Sequence, residues 1–393
     1  MRNYKRLLKI FLLLAISAPN FSFVYSATFF VDSSTPDSLR EKYTKAQQGG
    51  AKVKVLIVPG HDNAQGGTEF KGIKESAINA YLGEQLAQYL KKDPYFDVVL
   101  LRSQTDYNPI IKKYFAENRA QIKDFIKKHA STMKELVGVG AIDTVSGVEH
   151  NEAPAETILK LYGTNKWANE NGVDFMIHIH FNDYGGRKWN QYGTYSGFAI
   201  YTPEAQYSNA KTSNALAQTL FDRLKTFYPV SNISKERVGV VPDQELVAIG
   251  ANNTLDPASV LIEYGYIYES GIQTKTVKNS YLKDLAFQTF LGVEDFFGVE
   301  KNKYPLSHLP FSLTTTLQKG DTGHAVLALQ SGLALQGFYP PAGKDSRTCP
   351  LAGSLGPCTL SALKNFQADY KITGEVGKVG AKTRKILNSL YGE

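Results

Sequence analysis

The chain has 393 residues, 42% hydrophobic and 21% charged, with 44 basic and 37 acidic side chains. That is enough chain for two globular domains, and the composition is that of a globular rather than a disordered protein. Four of the basic residues fall within the first 26, which leaves 40 basic against 37 acidic beyond them. A net of about +3 is too weak a bias for a nucleic-acid partner.

Arg2, Lys5, Arg6 and Lys9 precede a short apolar run at residues 10–18, which Pro19 and Asn20 interrupt. Val24-Tyr25-Ser26 then offers a cleavage point before Ala27. Residues 1–26 therefore predict a cleaved signal peptide and an exported protein, periplasmic, wall-associated or extracellular. The run is too short to span a bilayer as a helix.

Residues 53–58 predict a buried parallel strand that ends at Pro59-Gly60-His61. A histidine just beyond the carboxyl end of a strand stands where open α/β sheets bind ligands, although a lone one is more often structural. The helical pattern over 75–90 puts Ile78, Leu82, Leu86 and Tyr89 on one face, and Glu75 shares that inward stripe. A carboxylate there needs a strong partner. A metal is one candidate; the other is capping or ion pairing in the first helical turn.

A further strand is expected at 97–101. An insertion of about 110–161 follows, in which Ile110, Ile111, Tyr114, Phe115, Ile122, Phe125, Ile126 and Met133 lie near helical spacing. Its first half predicts an amphipathic helix and residues 139–155 a loop. Seven basic and three acidic side chains between positions 111 and 136 suggest a positive wall or lid beside the site, or else a solvated helix at the domain's edge. His150, with Glu149 and Glu152, reads as part of a solvated loop, or alternatively as a cap on the metal.

The strand at 175–179 continues into His180-Phe181-Asn182. His178 and His180, two residues apart, project from one face of it, with His180 nearer the carboxyl end. Two histidines and one glutamate with an open fourth position make a catalytic zinc arrangement, in which water becomes acidic enough to attack an amide. The last strand, 259–262, carries Glu263 at its end, either a general base or a neutral accident of position. Gly265 permits close approach there and favours the catalytic role. With helices at 213–227 and 282–297, residues 51–298 predict an α/β domain whose mostly parallel twisted sheet is flanked by helices.

Residues 299–314 read as a linker. Beyond them, residues 326–330 are echoed loosely at 362–367, each after a glycine-containing turn. The echo marks a small all-α domain of three helices over 315–393. Cys349 and Cys358, the two cysteines of the chain, predict a disulfide in an exported protein.

These residues, taken in order, resemble the zinc-dependent N-acetylmuramoyl-L-alanine amidases of bacterial cell walls. The resemblance rests on Pro59-Gly60-His61, Gly72-Ile73-Lys74-Glu75, Ile179-His180-Phe181-Asn182 and Glu263-Tyr264-Gly265. Weaker support comes from Ala168-Asn169 and residues 197–201 and 213–217. It implies that His61, Glu75 and His180 hold Zn²⁺ and that Glu263 acts in catalysis. The reaction implied is hydrolysis of the amide between the muramic acid lactyl group and L-alanine of peptidoglycan. Val58 stands where the family usually has Asp, Asp62-Asn63 replaces a Gly-Gly pair, and His178 replaces a common serine as a neighbour of the metal or an alternative ligand. Leu317-Gln318-Lys319-Gly320, Gly337-Phe338-Tyr339 and residues 323–330 and 380–387 resemble the three-helix peptidoglycan-binding domains, in which the stretch 342–357 is unusually long. A zinc peptidase of the stem peptide and a non-catalytic wall-binding protein are the alternatives, and the sequence identifies no activating protein and no oligomeric state.

Overall fold

The computed structural model describes residues 31–148, 153–183, 187–299 and 312–391. The expected signal segment 1–26, most of the expected linker, and Glu149, His150 and Glu152 lie outside them. Among the described residues no helix is long and apolar enough to cross a membrane.

The sheet has six strands: β1 (Val53–Pro59), β4 (Phe96–Leu100), β5 (Phe175–Asn182), β6 (Ala199–Pro203), β7 (Val240–Asp243) and β8 (Ala258–Tyr266), in the order β4-β1-β5-β8-β6-β7. The first four in that order are mutually parallel, β6 runs antiparallel to β8, and β7 is parallel to β6. β2 (Glu69–Phe70) and β3 (Ile73–Lys74) form a separate antiparallel pair. Strands β1, β5 and β8 are almost wholly buried, as expected of strands covered on both faces, where apolar runs replace alternation.

One face is covered by α1 (Pro36–Gln47), α2 (Glu75–Leu90), α6 (Ala210–Leu224) and α8 (Lys278–Phe297), with α7 (Ser270–Gln273) leading into α8. Val55, Ile57, Phe175, Ile177, Val260 and Ile262 point into this layer. The alternate residues Leu56, Val58 and Met176 pack with Trp167 and Ala168 of α5 (Ala155–Glu170) on the opposite face.

The helix expected over the insertion is two helices, α3 (Pro109–Glu117) and α4 (Arg119–Gly138). Asn118, with φ −108°, ψ 21°, breaks the run between them. Both pack on α5, and Ile122, Leu159 and Tyr162 form the contact. The insertion is thus an outer layer, and α5, whose first residues were counted with it, belongs to the domain's own packing.

The C-terminal helices α9 (His324–Leu335), α10 (Pro357–Asp369) and α11 (Ala381–Tyr391) contain the echo seen in the sequence. Gln330 accepts from the Gly353 amide and donates to the Ser354 carbonyl and the Thr359 hydroxyl. Gln367 does the same with Gly377, Lys378 and Thr383. The glycine lies 23 residues after the glutamine in the first copy and 10 in the second. The extra length of the first copy holds Cys349, joined to Cys358. From the same loop Arg347 donates to the Val230 carbonyl at 2.6 Å, and Gly353 lies against Val277. The buried apolar cluster consequently runs without interruption from α8 into α9.

Glu294 lies in the last turn of α8, where the helix dipole disfavours an anion. Burial first, then the charges of Asp93 and Asp295, push its pKa up to about 8. The fold thus retains a proton that the unfolded chain releases near pH 4.5, so stability falls as pH rises from about 4.5 to 8. Glu294→Gln is expected to raise the melting temperature by a few degrees at pH 8, with the difference vanishing near pH 4. A melting curve no better than wild type at pH 8 would refute this reading of Glu294.

Candidate metal and catalytic site

Three segments meet at the carboxyl edge of the sheet. β1 ends at Pro59 and turns through Gly60 into His61, which has φ 59°. The turn is fixed by a Gly60 amide hydrogen bond to the Ile179 carbonyl at 2.9 Å. It is fixed again by buried Arg102, which donates to the carbonyls of Pro59, Gly60 and Ser76 at 3.1, 2.7 and 2.8 Å. A Cβ on Gly60 would lie 2.2 Å from the His180 ring, so no larger residue fits unless that ring moves.

Glu75, 4% exposed, opens α2. Its Oε1 is 3.1 Å from Nδ1 of His180 and its Oε2 is 3.1 Å from Nε2 of His61. The amides of Thr68 and Phe181 and the side chain of Asn79 donate to the same carboxylate. Burial alone would raise its proton affinity, but the hydrogen bonds to His180 and His61 outweigh that and hold it ionised. Gly67, at φ +70°, leaves space where a Cβ would strike both Glu75 and His61. One ligand atom from each of His61, Glu75 and His180 lies within 4.8 Å of the others, a grouping able to hold a metal ion.

His178 is not part of that grouping. It is 1% exposed, its Nε2 is buried without a partner, and burial followed by the His180 charge lowers its pKa to about 3. It lies one strand step deeper than His180, between Val58 and Leu261.

Glu263 stands beside His180 in the β5–β8 register. Its Oε2 is buried and makes no hydrogen bond. Burial first, then the charges of Glu75 and Glu236, push its pKa well above the ordinary carboxylate range. Glu236 accepts from Tyr201 at 2.6 Å, from Ser231, and from Asn182 at 3.4 Å, so the acid behind Glu263 is itself fixed in place.

Three further residues take roles that the sequence did not assign. Arg102 follows an apolar strand at the same edge, which was the only hint of its role. Asp62 closes the loop after His61: its Oδ1 accepts from the Ala64 and Gln65 amides, and its Oδ2 accepts from Tyr107 at 2.9 Å and Lys160 at 2.7 Å. Despite burial, Lys160, the Gln65 amide and Tyr107 hold its pKa near about 2. Lys160 on α5 thereby ties the loop after His61 to the layer that carries the insertion. Glu236 carried no pattern at all.

The model of the N-acetylmuramoyl-L-alanine amidase family (Amidase_3) matches residues 55–295. No curated protein matched the chain. Among solved structures, an N-acetylmuramoyl-L-alanine amidase of Clostridium difficile 630 is 18% identical, covering 64% of this chain and 100% of its own with a TM-score of 0.40. The CwlD amidase of Clostridioides difficile, solved with the GerS lipoprotein, is 17% identical over 63% of this chain and 100% of its own, with a TM-score of 0.41. The Ami1 amidase of Mycobacterium smegmatis is 16% identical over 64% and 99%, with a TM-score of 0.40.

Proposed function

The chain belongs to the N-acetylmuramoyl-L-alanine amidase family, and on that footing we propose that it is an exported zinc hydrolase of peptidoglycan. Its reaction cleaves the amide between the muramic acid lactyl group and L-alanine. The observation that carries the reading is the convergence of His61, Glu75 and His180 around one point, beside a buried, unpartnered carboxylate oxygen of Glu263.

The donor set fits zinc: two imidazoles and one carboxylate leave a fourth position open, and Gly60 and Gly67 leave room for the His180 and His61 rings and the Glu75 carboxylate. Bound there, zinc supplies a Lewis acid that polarises the carbonyl and acidifies water. Glu263 takes the proton from the attacking water and gives it to the departing nitrogen as the C–N bond breaks. The products are a free lactyl carboxylate and an L-alanine amino terminus. One carboxylate thus serves first as base and then as acid. Arg102 and Asp62 hold the loop that presents His61, and Glu236 fixes the surroundings of Glu263.

Residues 315–393 act as a peptidoglycan-binding domain that keeps the enzyme on its insoluble substrate. The test of the metal assignment is chelation. Purified sacculi should release peptides on incubation with the enzyme, stop doing so with 1,10-phenanthroline, and resume when zinc is restored. Undiminished release after removal of all metal would sink the zinc reading.

A further inference from the structure

The loop after β5 displays two large aromatic side chains. Trp189 is 68% exposed and Tyr192 is 60% exposed. They lie three residues apart on one loop, and exposed large aromatics concentrated in one segment mark a surface for a partner. The backbone that carries them is fixed. The Gln191 amide closes a turn on the Lys188 carbonyl, and Asn190, at φ 55°, accepts from the Lys71 amide at 2.7 Å. Tyr268 donates to the Tyr195 carbonyl at 2.9 Å, and a Cβ on Gly193 would lie 2.3 Å from that same hydroxyl.

The loop is also joined to the metal site. Thr68, whose amide donates to Glu75, hydrogen-bonds Asp183 through its hydroxyl. Asp183 holds Arg187 at 2.6 and 2.7 Å. The Arg187 guanidinium lies 5.2 Å over the Phe70 ring, and Phe70 meets Tyr192 edge-on with ring centroids 5.0 Å apart. A continuous set of contacts thus runs from Glu75 to the base of Tyr192. The Tyr192 ring is held by Phe70 and by Lys71, whose Nζ lies 4.6 Å over it, and Trp189 stands three residues earlier on the same loop, open to solvent.

Aromatic rings of this kind fit the flat, C–H-rich faces of sugar rings, and the side-chain hydroxyl and indole N–H meet the polar edges. We propose that Trp189 and Tyr192 form a glycan-stacking subsite, which takes N-acetylated sugars of the strand that carries the scissile amide. This rests on the peptidoglycan reading above. It adds that the catalytic domain grips the glycan itself as well as the peptide junction.

The probe is tetra-N-acetylchitotetraose, which has the sugar faces but no lactyl amide to cleave. Trp189 and Trp167 are the chain's two tryptophans, and Trp167 is only 6% exposed, so quenchable emission of the full chain comes from Trp189. Saturable protection of that emission from iodide is expected, with Tyr192→Ala weakening the binding roughly two- to tenfold. Trp189→Ala should raise KM on sacculi and leave kcat in place. Emission unmoved by the oligosaccharide overturns the subsite, as does binding indifferent to Tyr192→Ala. If the protein hydrolyses sacculi while its emission stays unmoved, the subsite fails and the amidase reading stands. If protection occurs without any hydrolysis, the subsite stands and the amidase reading fails.

Discussion

His180→Ala is expected to lose its metal, while His178→Ala keeps one zinc per chain. The two histidines lie two residues apart on one strand, and the spacing alone did not choose between them. The geometry separates them: His180 reaches Glu75 at 3.1 Å, whereas His178 is enclosed between neighbouring strands. Perturbing residues that merely orient zinc ligands costs about 10- to 100-fold in affinity, and removal of a ligand should exceed that. The check is zinc content by elemental analysis after dialysis, with circular dichroism to confirm that each variant is folded. A zinc-replete His180→Ala protein beside a zinc-free His178→Ala protein would reverse the assignment.

Glu263→Gln should produce the other large effect, with the opposite signature: zinc retained and turnover lost. The amide keeps the shape and burial of the carboxylate but takes up no proton, so a rate loss on the order of 10²–10⁴ is expected. Because Glu263 is not among the three grouped ligands, its removal should leave metal content at one per chain. Near-normal turnover would make Glu263 a structural acid, and loss of zinc would make it a ligand.

The sequence carried much of this site because strand ends and residue spacing are local properties. Pro59-Gly60-His61 ends one apolar run, His180 another and Glu263 a third, so parallel strands bring them to a single edge. Glu75 was legible from its place on the inward stripe of α2. Arg102 was not, because its acceptors at the site are backbone carbonyls of two distant segments, and nothing in the identities of Pro59, Gly60 and Ser76 advertises that. The ties from Asp62 to Tyr107 and Lys160 span 45 and 98 residues, beyond any local pattern. The break between α3 and α4 escaped notice because apolar spacing continues across Asn118. β6 and β7, the short last two strands in the sheet's order, were not separated from the loops around them. The first helix, α1, was missed as well, although Thr35 and Ser38 form a reciprocal cap at its start. In the C-terminal region the echo was visible as similar letters. Its meaning, a glutamine pinning the following glycine turn, emerged only once the hydrogen bonds of Gln330 and Gln367 could be compared.

If this site cuts the bond between muramic acid and L-alanine, the products of digestion identify that bond. Purified sacculi would be digested to completion with the full-length enzyme. The soluble products would be identified by mass spectrometry and their new amino termini by labelling. Stem peptides that begin with a free L-alanine are the expected result, together with glycan strands bearing unsubstituted lactyl carboxylates. Peptides cut further along the stem, with L-alanine still attached to muramic acid, would contradict it and identify a stem-peptide peptidase instead.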